Sequence, residues 1–201
     1  MITLKSLSKV DIFPFYKWIN DDEVIKYSLS LFRKIKTEKE IDKWFSELMR
    51  NEKDITLGIF LESSNELIGY AGICNISETN KSGEYYIFIG EKRLWGKGIG
   101  TKVTEKILRI GFNDYELNRI MLTVYEPNIG GLKAYEKSGF RIEGRLREAS
   151  FRDNEFHDKF IMSILKSEWK EKLRATKKIT KGGKSSVIDK TFRFEDIFLR
   201  D

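Results

Sequence analysis

Gly96, Gly98 and Gly100 stand at alternate positions in Arg93-Leu94-Trp95-Gly96-Lys97-Gly98-Ile99-Gly100-Thr101. An apolar strand pattern, Ile87-Phe88-Ile89, runs into this turn, and a helical pattern leaves it. Residues without a Cβ leave backbone N–H groups bare. At the first turn of a helix those orphan donors and the positive end of the helix dipole point the same way, so the stretch can cradle a pyrophosphate. A glycine-rich turn also joins strands to helices for geometry alone, and the spacing leaves both readings open. Other reactive side chains are scarce. Cys74 is the single cysteine, which leaves it no disulfide and the character of a small buried hydrophobe. His157 is the single histidine, so a structural zinc site is implausible and no metal is expected.

The elements that would position this turn follow from periodicity. Ile2 and Leu4 alternate with polar neighbours as in a half-buried strand. Ser8-Lys9-Val10-Asp11 has the spacing of a capping box, and Phe13, Phe15, Trp18 and Ile19 continue that helix past Pro14 to Asn20-Asp21-Asp22-Glu23, where a short second piece opens. Thr37-Glu38-Lys39-Glu40 caps the clearest helix, with Ile41, Trp44, Phe45, Leu48 and Met49 on one face, an aromatic stripe read as core and assigned no chemistry. From Asp54 the period becomes strand-like: Ile55–Leu61, a turn at Ser63-Ser64-Asn65, Leu67–Ile73, a polar connection from Ser77 to Gly83, and Glu84–Ile89. Beyond the glycine turn, Ile99, Val103, Ile107 and Ile110 share a helix face. A strand over Asn118–Tyr125 stops before Pro127, a short helix over Ile129–Ser138 ends at Gly139, and a long hairpin over Phe140–Ser150 and Phe156–Leu165 turns at Arg152-Asp153-Asn154. The series predicts an α/β (α+β mixed) fold: a central mixed, mostly antiparallel sheet of about seven strands flanked by helices, without internal repeat.

Composition bounds the function classes. The 201 residues suit one well-buried domain, and 40% hydrophobic with 34% charged residues is the balance of a folded soluble chain. No apolar run is long enough to span a bilayer, and the N-terminus leads straight into alternation, so a cytoplasmic location and no membrane partner are expected. The net charge of +6 suggests nucleic acid, but its distribution argues otherwise: Lys170 to Lys184 holds seven basic residues and one acidic, which accounts for all of it.

Arg93, Gly96 and Gly98, placed between the fourth strand and the third long helix, resemble the acetyl-CoA motif Gln/Arg-x-x-Gly-x-Gly/Ala of the GNAT acetyltransferases. Asn128 through Tyr135 to Gly139-Phe140 is similar to a second segment of that family, and Glu143–Glu148 with Asn154–Asp158 to a branch holding ribosomal-protein N-terminal, spermidine and some amino-sugar acetyltransferases. The resemblance covers roughly residues 1–168, and three motifs in order are far more specific than one glycine turn. Gly131 departs from the pattern, since many members carry alanine or serine there.

The resemblance implies the GNAT fold and transfer of an acetyl group from acetyl-CoA to a primary amine by direct attack in a ternary complex. The acceptor would be a polyamine, an amino-sugar nucleotide or a protein N-terminus. An alkylammonium titrates near about 10, so a base must take a proton, and with one histidine in the chain the carboxylates are the natural candidates. Glu84 stands out because it opens the strand beside the thioester, though a strand-end carboxylate can be merely solvated. Tyr135 matches the tyrosine that protonates the departing thiolate, or is a core tyrosine. The resemblance implies an oxyanion donor at the backbone of Phe88 or Ile89. It places the cofactor against Trp95, Gly96, Lys97, Gly98, Ile99, Gly100 and Thr101, with Arg93 and Lys97 adding charge near the phosphates. Asn128 would bond the pantetheine amides, cap a helix, or both. The acceptor pocket is expected between Tyr27–Phe32 and Phe151–Asp158, and a lone histidine such as His157 reads as structural.

Residues 1–169 thus read as the acetyltransferase domain and 170–201 as an extension. In it a basic stretch with a hinge at Gly182-Gly183 leads to the apolar segment Phe192–Leu199, which docks on its own domain or in a homodimer. Two rivals remain at this level: an acyl-CoA-binding sensor without turnover, and a nucleic-acid-binding protein, the less favoured.

Overall fold

The structure is a computed structural model that describes residues 1–28, 31–35 and 37–180. Its seven-stranded sheet runs in the order β1-β2-β3-β4-β5-β7-β6, with β1 Ile2–Lys5, β2 Ile55–Leu61, β3 Leu67–Ser77, β4 Ser82–Ile89, β5 Arg119–Tyr125, β6 Arg141–Arg152 and β7 Glu155–Leu165. Every neighbouring pair is antiparallel except β4 with β5. The helices are α1 Phe13–Ile19, α2 Asp22–Ile25, α3 Glu38–Arg50, α4 Ile99–Arg109, α5 Ile129–Ser138 and α6 Lys166–Thr180. The predicted fold class and element order stand. Among the described residues no helix is long and apolar enough to cross a membrane.

Alternation along β4 feeds two cores. Tyr85, with Ile87 and Ile89, packs with Val103 and Ile107 of α4, whereas Phe88 packs among Phe15, Trp18, Phe32, Trp44 and Tyr70 on the side of α1 and α3. The second core is largely aromatic; Phe15 is fully buried, with its ring 5.0 Å from Trp18, 5.1 Å from Trp44 and 5.6 Å from Tyr70. Edge-to-face pairs of this kind contribute roughly 0.5–1.5 kcal/mol each beyond the area they bury.

Local signals behaved as their chemistry dictates. The Thr37–Glu40 capping box forms at the start of α3. The Ser8–Asp11 box forms too, but it opens a 3₁₀ turn over Lys9–Ile12, and α1 begins only at Phe13 with Pro14 in its first turn. The expected apolar face is narrower than the sequence suggests. Phe13 is 66% exposed and Met49 39%, because each lies at the margin of its helix, off the arc that meets the sheet. The β6–β7 turn closes through Asp153 and Asn154, both with positive φ, as a two-residue hairpin requires.

Helix α6 runs across the expected boundary at residue 169. Trp169 is buried against Phe112 at 5.3 Å, and Leu173 packs on the first core, so the start of the basic segment is docked helix. The expected hinge at Gly182-Gly183 and the docking segment Phe192–Leu199 lie outside the described residues.

Arg119 on β5 clamps Glu143 on β6 with both terminal nitrogens, and Ser163 Oγ donates to the same carboxylate at 2.6 Å. The guanidinium pulls the Glu143 carboxyl down to about 2. Because that lies below the unfolded value, near 4.5, the pair's contribution is complete above about pH 5 and is lost as pH falls toward 2. Glu143→Gln should therefore lower the melting temperature at pH 7 by about 2–4 °C, the size of a roughly 1 kcal/mol loss in a chain of this length. Melting curves of the two proteins should converge between pH 5 and pH 2.

Candidate active site

The site begins where two parallel strands part. β4 and β5 pair only through Ser82–Arg119, Gly83–Ile120 and Glu84–Met121. Beyond Glu84 each strand follows its outer neighbour: β4 stays with β3 as far as Ile89–Gly69, and β5 with β7 as far as Tyr125–Lys159. The opening is a cavity of about 430 Å³ whose walls include Glu84, Ile87 and Phe88 from β4 and Leu122 to Tyr125 from β5.

Register decides which amides face it. Gly90 N–H donates to Ile68 O at 2.9 Å, so the even-numbered residues of β4 exchange bonds with β3. The odd-numbered ones turn toward β5, as the bonds from Asn118 and Arg119 N–H to Lys81 O confirm. Tyr85 N–H closes the last of the three pairs, and past it the amides of Ile87 and Ile89 point into the opening with no strand to meet them. The Trp95 indole takes the carbonyl of Ile89 at 3.0 Å. Of the two amides expected to serve an oxyanion, Ile89 has this orientation; that of Phe88 pairs with Tyr70, and its ring belongs to the aromatic core.

At the far end of β4 the glycine turn has the shape of a phosphate cradle. Gly96 and Gly98 adopt φ of +71° and +74°, and a Cβ at either would meet nothing within 4 Å. They are glycines for conformation, and the space over them is open. Gly98 is the N-cap of α4 and offers no side chain to its first turn, so the N–H groups of Ile99, Gly100 and Thr101 lack an intrahelical partner. Phosphate oxygens fit this donor set. Lys97 is exposed beside it, and the Arg93 guanidinium is held by Glu66 at 2.5 Å and Glu91 at 3.3 Å. The helix is fixed to the strand by a buried relay absent from the sequence reading. Tyr85 Oη lies 2.9 Å from Thr104 Oγ1, which donates to Gly100 O at 2.8 Å. Tyrosine and threonine at these positions look like ordinary core in a sequence; only the packing of α4 on β4 joins them.

Glu84 and Tyr135 both line the cavity, the arrangement a catalyst needs and a mere binding module does not. At the β-bulge after Cys74, Asn75 sits at φ +51° and donates through Nδ2 to Glu84 Oε2 at 3.0 Å. Tyr135 enters from α5, edge-on to Tyr85 at 6.0 Å, with no hydroxyl hydrogen bond among the described residues. Burial pushes its hydroxyl up to about 12, so it is protonated at neutral pH. Asn128 lines the cavity while its Oδ1 caps α5 through Gly131 N–H at 3.0 Å. The departure at Gly131 suits that cap: a Cβ there would lie 2.6 Å from Asn128 Nδ2.

The opposite wall is the expected acceptor side. Tyr27, Ser28, Arg152 and Lys159 line it, with Arg152 Nη2 donating to Ser28 O at 2.8 Å; Phe32, predicted for the same wall, is fully buried in the aromatic core instead. Two residues read as inert at the sequence level reach the cavity, Trp44 from α3 and Cys74 from β3. His157 packs on Tyr125 with ring centres 5.1 Å apart, a structural placement. Among the described residues no three His, Cys, Asp or Glu side chains gather to hold a metal.

Comparison with known proteins agrees with this geometry. The model of the acetyltransferase (GNAT) domain family matches residues 2–141. The uncharacterized N-acetyltransferase p20 of Bacillus licheniformis is 25% identical over 84% of this chain and 94% of its own. The putative ribosomal N-acetyltransferase YdaF of Bacillus subtilis is 30% identical over 57% of this chain and 61% of its own. Among solved structures, the spermidine N-acetyltransferase of Vibrio cholerae, in complex with CoA and spermine, superposes with a TM-score of 0.75 at 23% identity, covering 84% of this chain and 97% of that one.

Burial first, and then the charge of Glu84, pushes the Cys74 thiol up to about 11. At pH 7.5 about one thiol in several thousand is ionised, so it is no nucleophile. Cys74→Ala should retain turnover within about threefold, and intact-mass spectra of the wild type mixed with acetyl-CoA should show no covalent acetyl adduct.

Proposed function

The chain belongs to the GNAT acetyltransferase family and is an acetyl-CoA-dependent N-acetyltransferase, and we propose that Glu84 and Tyr135 flank the reacting centre as its proton acceptor and proton donor. One observation carries this reading: the two side chains line a single cavity at the point where β4 and β5 separate.

Acetyl-CoA supplies an activated acyl carbon and a thiolate leaving group. The cradle at Gly96 to Thr101 holds its phosphates, Lys97 adds charge, and Trp95 fixes the strand end beneath. Asn128 and the amides along β4 receive the pantetheine arm, with Ile89 N–H facing the developing oxyanion. Such a donor contributes about 3–4 kcal/mol in other acyl-transfer enzymes. Arg93 supports the turn through Glu66 and Glu91.

The amine reacts in its neutral form, a minor species at neutral pH. As nitrogen bonds to carbon it becomes strongly acidic, and Glu84, oriented by Asn75, takes the proton at that moment. Tyr135 donates toward the departing sulfur. Its hydroxyl near 12 is a weaker acid than a thiol near 8.5, so it stabilises the thiolate through a hydrogen bond rather than giving the proton up completely. The acceptor is a primary amine, with polyamines, amino-sugar nucleotides and peptide N-termini as the classes to compare. Reliance on acetyl-CoA, an intracellular metabolite, supports a cytoplasmic setting.

Thiol release with a panel of those amines tests the assignment. Glu84→Gln should lose about 100-fold in kcat and Tyr135→Phe about 10-fold, both with an unchanged KM for acetyl-CoA. Retention of wild-type kcat by either variant would remove that residue from the reaction.

A further inference from the structure

Among the described residues, Arg152 is a buried cation with no carboxylate in an ion pair with it. It is 6% exposed at the end of β6, and its neighbours are oxygens and a ring. Nε donates to Ser150 Oγ at 3.2 Å, Nη1 to Lys26 O, and Nη2 to Ser28 O at 2.8 Å, while the guanidinium lies 4.9 Å from the centre of the Tyr125 ring. Among the described residues no carboxylate makes an ion pair with it. Of the adjacent carboxylates, Asp153 is committed to Arg33 at 2.9 Å, and Glu155, opposite Arg152 across the β6–β7 pair, lies 3.9 Å from His157 Nε2. Burial first, and then the positive charge of Arg33, holds the Arg152 guanidinium below its ordinary value; Tyr125 and Asp153 oppose this only in part. A charge kept from water and from a counter-ion is costly, and any anion that reached it would relieve that cost.

The position supplies the reason for keeping it. Arg152 lines the same cavity as Glu84 and Tyr135, on the acceptor wall beside Tyr27 and Ser28. Three of its five N–H donors are used, which leaves one on each terminal nitrogen, a pair suited to a carboxylate or phosphate. Lys159 contributes a second positive charge to the cavity, so Asp54 and Glu84 are balanced and the lining carries no net charge. A polycation would find little there to hold it, whereas an amine bearing an oxyanion finds Glu84 for its nitrogen and Arg152 for its oxygens.

We propose that the acceptor is a small amine that also carries an anionic oxygen group, carboxylate or phosphate, and that Arg152 determines this specificity by binding that group. The proposal rests on the acetyltransferase reading of the cavity and names the chemical class of its acceptor.

The test uses matched acceptors with the full-length protein: amino acids and dipeptides against their carboxamides, amino-sugar phosphates against the free amino sugars, and spermidine as the polycation. The anionic member of a pair should have at least a tenfold higher kcat/KM, and whichever pair shows the preference identifies carboxylate or phosphate. In Arg152→Gln that ratio should fall to about one, with the effect in KM for the acceptor; Arg152→Lys, which keeps the charge, should retain part of it. Binding of N-acetylglycine and acetyl phosphate by calorimetry separates this from the catalytic assignment, since it needs no turnover: micromolar-to-millimolar binding lost in Arg152→Gln supports anion recognition even if Glu84 and Tyr135 prove dispensable. Preference for spermidine or for the neutral acceptors, or an anion preference unchanged in Arg152→Gln, would overturn it. Melting temperature and KM for acetyl-CoA check that each variant is folded.

Discussion

Two parallel strands that stop pairing after three residue pairs govern this molecule. A sheet that continued to close would satisfy the amides of Ile87 and Ile89 with β5 and leave no cavity. Instead both strands are committed elsewhere, β4 to β3 and β5 to β7, and the wedge between them exposes backbone donors in a fixed row. Buried amides without partners cost about 1–3 kcal/mol each, so the opening must admit water or a ligand that can accept from them. A chain of amides such as pantetheine is that kind of ligand. The sheet thereby converts a pairing defect into a binding surface whose spacing is set by strand geometry.

Everything else braces the wedge. On one side the Tyr85–Thr104–Gly100 relay ties the start of α4 to β4, so the cradle and the amide row share one rigid support. On the other, the aromatic core around Phe15 and Phe88 fixes β4 from below, and the Trp18 indole donates to Glu91 just past its end at 3.0 Å. Lys92 bridges that same turn to α2 through Asp21 and Glu23, at 2.8 Å each. These surface pairs contribute little to stability on their own. Their effect is positional, since α2 leads into Tyr27 and Ser28 on the acceptor wall.

Where the sequence was legible, a local rule operated. The glycine spacing at 96 and 98 reports a backbone conformation that side chains disfavour, and the structure shows that conformation. Capping boxes at Ser8 and Thr37 act within one turn, and both form. Strand alternation exposed six of the seven strands nearly to their ends; the bulge beyond Cys74 and the start of β4 at Ser82 escaped it because a single inserted residue breaks the period of two. The ion pairs of Arg93 were illegible for a related reason. Motif spacing places a residue in a turn, but the direction of a long flexible side chain is decided by whichever carboxylates lie nearest, here Glu66 and Glu91.

By itself, then, the sequence determined the element order, the glycine cradle and the family these imply, because each depends on neighbours within a few residues or on motifs in series. Tertiary structure alone decided which amides face the opening, that Glu84 and Tyr135 share one cavity, and that Arg152 sits there with no counter-ion among the described residues. Those properties depend on register between distant strands and on what is absent from a residue's surroundings. A missing partner has no signature in the residue that lacks it; it is visible only when the rest of the chain has folded around the charge and left it unmatched.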